Sequence, residues 1–211
     1  VKKMVLDTQR ERIDPLITFF AGFFSKIHPD VLTWFSLLFA FLAGLLFYDS
    51  NPSTEQITHY LLFASFFVFL NGFFDAIDGK VAKLTKKASA KGDFLDHALD
   101  RYADVFMVGG IALSAWCRTE IGLLAVIGVL LTSYMGTQAQ AVGYKREYRG
   151  LLGRADRLVL LMVFPVAQHM FNVTLYGFTI MELVLLYFAV VGNLTAIQRF
   201  ISIIKWFKNQ Q

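Results

Sequence analysis

A chain of 211 residues, 56% of them apolar and only 17% charged, cannot cover itself with polar groups as a soluble domain does, where about a quarter of residues are charged. Its mean hydropathy of +0.53 excludes an ordinary soluble protein, and its single cysteine, Cys117, excludes an intramolecular disulfide. Twenty Lys and Arg against sixteen Asp and Glu leave a net charge of +4, an excess that in a membrane protein belongs on cytoplasmic loops beside anionic lipid rather than on nucleic acid.

Crossing a bilayer core takes ~20 mostly apolar residues. Val1 to Arg12 lacks the apolar run of a signal peptide. From Asp7 to Lys26, Ile13, Leu16, Ile17, Phe20, Phe23 and Phe24 recur at helical spacing, with Arg10, Arg12 and Lys26 outside the apolar run. This predicts an amphipathic helix lying in the interface, and Asp14 and Pro15 argue against a span there. The uncharged stretch Val31–Tyr48 predicts a first span, Thr58–Asp78 a second, a helix from near Phe94 to Cys117 a third, and Ile121–Tyr144 a fourth. The apolar stretch Leu158–Met181 divides at Asn172, Thr174 and Gly177, which read as a turn. That leaves a fifth span before the turn and a sixth from near Thr179 to Gln198. The expected fold is all-α, an integral membrane protein with six transmembrane helices behind an N-terminal amphipathic interfacial helix. Its expected organisation is a juxtamembrane segment over 1–30, a membrane domain over 31–204 and a tail over 205–211.

Placement of the basic residues predicts orientation. Lys2, Lys3, Arg10, Arg12 and Lys26 precede the first span; Lys80, Lys83, Lys86, Lys87 and Lys91 lie between the second and third; Lys145, Arg146, Arg149, Arg154 and Arg157 lie between the fourth and fifth; Lys205 and Lys208 follow the sixth. The opposite loops offer Arg118 and little else. Both termini and both basic loops are therefore expected on the cytoplasmic side of the cell membrane.

Six of the sixteen acidic residues fall between Asp75 and Asp104. Each carboxylate at membrane depth costs roughly 2.5–3.5 kcal/mol on insertion scales, which marks it as a functional candidate. Asp75 and Asp78, at i and i+3, share one helix face; Asp96 and Asp100, at i and i+4, share another. Antiparallel helices joined by a short loop would bring both pairs to one point. Four carboxylates, without cysteine or a suitably spaced histidine pair, suit hard cations such as Mg²⁺, Mn²⁺ or Ca²⁺. Gly79 and Gly92 leave room for a ligand to approach the backbone or for a helix to unwind, and Lys80 and Lys83 add positive charge, so that a metal-bound phosphate or diphosphate is the expected ligand. The competing reading of any one Asp pair is a solvated helix end. Asp93 reads as a loop or supporting group, Asp104 as a partner of Arg101 or an orienting group, and His28, His59, His97 and His169 as structural.

These residues read Asp75-Ala-Ile-Asp78-Gly79-Lys-Val-Ala82-Lys83, a gap of eight, then Gly92, Asp96 and Asp100 at steps of four. The run resembles the CDP-alcohol phosphotransferase signature D-x-x-D-G-x-x-A-R, a gap of about eight, then G-x-x-x-D-x-x-x-D, with Lys83 where the family usually carries Arg. His28-Pro29-Asp30-Val31-Leu32-Thr33 is similar to the family's Pro-Asn-x-Leu-Thr run at the start of the first span. The resemblance implies transfer of the phospholipid part of a CDP-linked lipid to an alcohol, with release of CMP. It places divalent metal, Mg²⁺ or Mn²⁺ and two ions in number, on Asp75, Asp78 and Asp96, with Asp100 at the site's edge as a metal-side residue and general base. Asp96 and Asp100 are thus the catalytic candidates, and Asp78, Gly79, Ala82, Lys83 and Gly92 would form the CDP pocket. It also implies a homodimer.

Family members differ in the acceptor alcohol. Arg154 and Arg157, at i and i+3 where the fifth span begins, can turn inward together to hold a phosphorylated acceptor, with Lys145 and Arg146 nearby. A positive-inside loop on lipid headgroups equally explains Lys145, Arg146 and Arg149. Gly153-Arg154-Ala155-Asp156-Arg157 resembles the Arg-Ala-Glu-Arg element of inositol-phosphate-using members, and Ser133-Tyr134 and Ala139–Gly143 resemble their Ser-Tyr and Ala-Glu-x-Leu-Gly run. Gly136, Gln138 and Gln140 depart from that branch, while the Gly-Lys-x-Lys-Thr run of glycerol-phosphate users is absent. The expected acceptor is inositol phosphate, ahead of glycerol 3-phosphate, serine and inositol. From other classes, a cation transporter using the intramembrane aspartates leaves Gly79, Gly92 and the lysines without a role, and a non-catalytic scaffold would bind no cytidine nucleotide.

Overall fold

The computed structural model describes residues 7–52, 55–144 and 152–209, with side chains described over 14–52, 59–144 and 152–209. Local sequence accounts for the helix boundaries. Helix α1 (Asp7–Phe23) carries Pro15 within it. Helix α2 (Pro29–Asp49) begins with Pro29 at its first position and His28 as its cap: the Asp30 N–H donates to His28 Nδ1 at 3.3 Å. Helix α3 (Glu55–Leu84) runs 30 residues, through Gly79, so that the signature glycine sits within the helix and does not unwind it. It ends where Lys86 turns left-handed (φ 57°) and the Lys87 N–H donates to the Ala82 carbonyl at 2.9 Å. Helix α4 (Ala90–Ala112) starts at Ser89, whose hydroxyl accepts from the Gly92 N–H, and ends five residues before Cys117.

Helix α5 (Thr119–Ala141) and helix α6 (Arg154–Phe171) follow. The expected turn is a short hairpin, β1 (Thr174–Leu175) against β2 (Phe178–Thr179), whose two connecting residues Tyr176 and Gly177 are both left-handed. Helix α7 (Ile180–Tyr187) continues through a π-helical turn, Phe188–Gly192, into α8 (Asn193–Lys208). Asn193 Nδ2 donates to the Leu124 and Ala189 carbonyls, and Thr132 Oγ1 to the Gly192 carbonyl. These bonds tie the widened turn to α5.

Among the described residues, four helical segments are long and apolar enough to cross a membrane: Pro29–Asp49, His59–Leu84, Thr119–Ala141 and Ile180–Lys208. They carry the predicted first, second, fourth and sixth spans. The third and fifth predicted spans fall on α4 and α6, whose charged first halves keep them out of that set. Helix α2 packs along α3 and α4, α3 along α6 and α1, and α5 along α4, α8 and the π turn. Their common core includes Phe47, Leu61, Met107, Ile111, Trp116 and Phe188, all buried. Val31, Trp34, Leu38, Phe41 and Leu45 remain exposed on α2, as an apolar face turned to lipid requires.

Close helix contact rests on glycine. A Cβ built on Gly110 would collide with the Gly44 carbonyl, and one on Gly44 with the Phe106 carbonyl, whereas one on Gly109 would meet nothing within 4 Å. Gly110→Ala is therefore expected to lower stability by about 1–3 kcal/mol, and Gly109→Ala to leave the melting midpoint of the detergent-solubilised protein unchanged.

Candidate active site

Helix α2 packs along both α3 and α4, and between them the polar stripes of these two helices come to one end of the bundle. On α3 the stripe is Asp75, Gly79 and Lys83, with Asp78 and Ala82 beside it; on α4 it is Gly92, Asp96 and Asp100. Asp78 and Asp100 are buried, Asp75 and Asp96 half-buried. Arg154 reaches both Asp75 and Asp100, carboxylate oxygens of Asp96 and Asp100 lie within 4.8 Å of one another, and Asp78 follows Asp75 by three residues on α3. Thus the four predicted carboxylates converge. A Cβ on Gly79 would meet nothing within 4 Å, so the backbone there faces open space; Ala82 is half-buried and Lys83 exposed beyond it.

Elements from outside the signature complete the cluster. Thr33 of α2 is buried, its hydroxyl donating to the Pro29 carbonyl at 3.2 Å. Lys80 holds Asp14 of α1 through both carboxylate oxygens at 2.6 Å, and Lys91 holds Asp30 at 2.9 Å. Helix α1 is fixed there by apolar packing as well, Ile17, Phe20, Ala21 and Phe24 lying against Phe73, Phe74, Ile77 and Val81.

The first turn of α6 delivers the arginines. The Asp156 carboxylate accepts from the Gly153 N–H at 2.9 Å and starts the helix. Arg154 and Arg157 both turn inward, as their spacing allows, but each meets a carboxylate. Arg154 bridges α3 and α4, Nη1 lying 2.7 Å from Asp75 Oδ2 and Nη2 2.6 Å from Asp100 Oδ1. Arg157 is buried: its Nη1 donates to Asp104 Oδ2 at 2.8 Å, its Nη2 to Ser133 Oγ and its Nε to the Gly153 carbonyl, each at 3.4 Å. Asp104 thus meets Arg157 more closely than Arg101, whose Nε lies 3.8 Å away. Lys145 and Arg146 lie outside the described residues.

The donor set suits a hard divalent cation. Asp78 Oδ2 is buried with no hydrogen-bond partner among the described residues, which an electropositive ligand would relieve. Ligand atoms of Asp96, His97 and Asp100 lie within 4.8 Å of one another. His97 is the residue that sequence reasoning passed over as structural. Its signal was adjacency: it follows Asp96 and lies four residues after Asp93, and its imidazole sits 3.4 Å from the one carboxylate and 3.8 Å from the other. Oxygen donors still outnumber it, which favours Mg²⁺ or Mn²⁺ over a softer metal.

Comparison with known proteins is consistent with this geometry. The family model described as CDP-alcohol phosphatidyltransferase matches residues 26–204. The chain is 31% identical over 137 residues to an archaetidylinositol phosphate synthase of Pyrococcus horikoshii, covering 65% of this chain and 68% of that one. It is 29% identical over 215 residues to a phosphatidylinositol phosphate synthase of Streptomyces avermitilis, covering 96% and 83%. Two crystal structures of the Mycobacterium tuberculosis phosphatidylinositol phosphate synthase share the fold. The one with CDP-DAG bound superposes with a TM-score of 0.72 at 19% identity, over 90% of this chain and 94% of that one. The complex with manganese and citrate gives 0.73 at 19% identity, over 89% and 88%.

Proposed function

Because the chain belongs to the CDP-alcohol phosphatidyltransferase family, we propose that it joins the phospholipid part of a CDP-linked lipid to a phosphorylated alcohol, inositol phosphate above all, and releases CMP. The observation that carries this reading is the meeting of Asp75, Asp78, Asp96 and Asp100 beside the open backbone of Gly79. Asp75, Asp78 and Asp96 would hold two divalent cations, whose charge offsets that developing on the diphosphate oxygens. Gly79, Ala82, Lys83 and Gly92 would form the CDP pocket, where Lys83 would supply charge without the planar fork of Arg. Asp100 takes the proton of the acceptor hydroxyl as its oxygen attacks the lipid-side phosphorus. The bond from that phosphorus to the bridging oxygen breaks, and CMP departs with the oxygen.

Arg154 is the arginine nearest this chemistry and the candidate for the acceptor phosphate. Arg157 would act on the acceptor side through Asp104, and Lys145 and Arg146 would belong to the same basic mouth. The inositol-phosphate reading draws support from the Arg154-Ala155-Asp156-Arg157 run and from the names of the related synthases. In this reading α2 to α6 and the α7–α8 helix are six spans of residues 31–204, α1 lies in the interface, and the excess of Lys and Arg sets the site on the cytoplasmic side of the membrane.

The test is CMP release by the purified protein from CDP-diacylglycerol and CDP-archaeol, with inositol phosphate, glycerol 3-phosphate, inositol and serine in parallel. Inositol phosphate is expected to give the highest turnover, at least ~10-fold above inositol, because only a phosphorylated acceptor adds charge-assisted hydrogen bonds to the Arg154 guanidinium. Serine or free inositol as the best acceptor would overturn the acceptor reading. Divalent-cation flux without CMP release from any of them would overturn the transferase reading itself.

A further inference from the structure

At the opposite end of the bundle two histidines meet. The rings of His59, at the start of α3, and His169, in the last turn of α6, have centroids 5.2 Å apart and planes inclined at 47°. His59 is exposed, whereas His169 Nδ1 is buried with no hydrogen-bond partner among the described residues. Asp75 lies sixteen residues beyond His59 on the same helix, a rise of about 24 Å, so this pair is remote from the carboxylates. The same two helices are joined at their other ends by Arg154 and Asp75.

We propose that His59 and His169 form a binding site for a borderline transition-metal ion, Zn²⁺, Ni²⁺ or Cu²⁺, that pins α3 to α6 on the face away from the carboxylates. Imidazole nitrogens bind such ions at about 2.0–2.1 Å, and two imidazoles on one tetrahedral ion have ring centroids about 5 Å apart. The observed 5.2 Å matches that value, so a shared ion needs no displacement of either helix. An unpartnered buried ring nitrogen is a ready lone pair, and the exposed His59 gives the ion a path from water, which would supply the remaining ligands. Neutral imidazole selects these ions over Mg²⁺ and Ca²⁺, in contrast to the oxygen-rich set of Asp75, Asp78, Asp96 and Asp100.

The experiment titrates ZnCl₂ into the full chain in nanodiscs, in excess Mg²⁺ to occupy the carboxylates, and follows binding by calorimetry and the melting midpoint. One zinc ion is expected to bind, to raise the midpoint, and to lose at least ~10-fold in affinity in both His59→Gln and His169→Gln, with His97→Gln unaffected. Because His59 is exposed, its substitution leaves the metal-free melting midpoint unchanged, which keeps a binding loss distinct from misfolding. Absence of zinc binding by the unaltered protein, or an affinity in either variant equal to that of the unaltered protein, would overturn the proposal. Loss of zinc binding in His97→Gln alone would overturn it too, by placing the ion at the carboxylates.

Discussion

Asp96→Asn is expected to lower CMP release by at least ~10²–10³-fold, or about 2.7–4 kcal/mol of transition-state stabilisation. Asn keeps the shape of the side chain but removes a full negative charge from a cluster that would hold two cations. The loss is therefore one of cation binding first, and raising Mg²⁺ or Mn²⁺ is expected to restore part of the rate. Asp100→Asn is expected to lose as much and to resist such rescue, since the amide cannot accept the acceptor's proton. It also removes a charge from Arg154, which bridges Asp75 and Asp100 at 2.7 and 2.6 Å. Turnover of both variants at increasing metal, with melting midpoints as the folding control, separates the two roles. Full turnover in either variant would refute its assignment.

Much of this site was legible because helical spacing alone places Asp75 with Asp78 and Asp96 with Asp100; that α2, packed along both α3 and α4, brings the two faces together was not. The helix starts lie earlier than the apolar runs suggest, at Pro29 for the span expected from Val31 and at Ala90 for the helix expected from near Phe94, because His28 and Ser89 cap them. The turn at Asn172–Gly177 was visible from its residues, its hairpin form following from two adjacent left-handed positions. Tertiary partners were not legible. Arg154 and Arg157 were readable as inward-turning, but nothing in the local sequence ties one to Asp75 and Asp100 and the other to Asp104. Those pairings depend on α6 lying against α3 beside α4. The close approach of Gly110 to Gly44 is likewise a product of α4 packing on α2 and not of local sequence. His97 reads as structural from sequence because metal-ligand spacing is sought between separated histidines, not in one adjoining a carboxylate.

Breaking the Arg157–Asp104 pair is expected to have the largest effect on stability. Both side chains are almost fully enclosed, at 4% and 3% exposure, with Nη1 and Oδ2 2.8 Å apart. Removing one charge strands the other in a low-dielectric interior, so Arg157→Met and Asp104→Leu are each expected to destabilise by about 3–5 kcal/mol. For a chain of this size that corresponds to a fall of roughly 6–20 °C in melting midpoint. The double variant is expected to recover most of the loss, because the desolvation penalty of both ions disappears with them. An Arg157 that bound the acceptor phosphate directly would behave differently: Arg157→Met would keep its midpoint and raise KM for the phosphorylated alcohol, and the double variant would recover nothing. The pair's position explains why activity should follow stability here. Asp104 lies on α4 four residues beyond Asp100, and Arg157 lies three residues beyond Arg154. Their bond fixes the first turn of α6 against α4, and that docking sets Arg154 between Asp75 and Asp100.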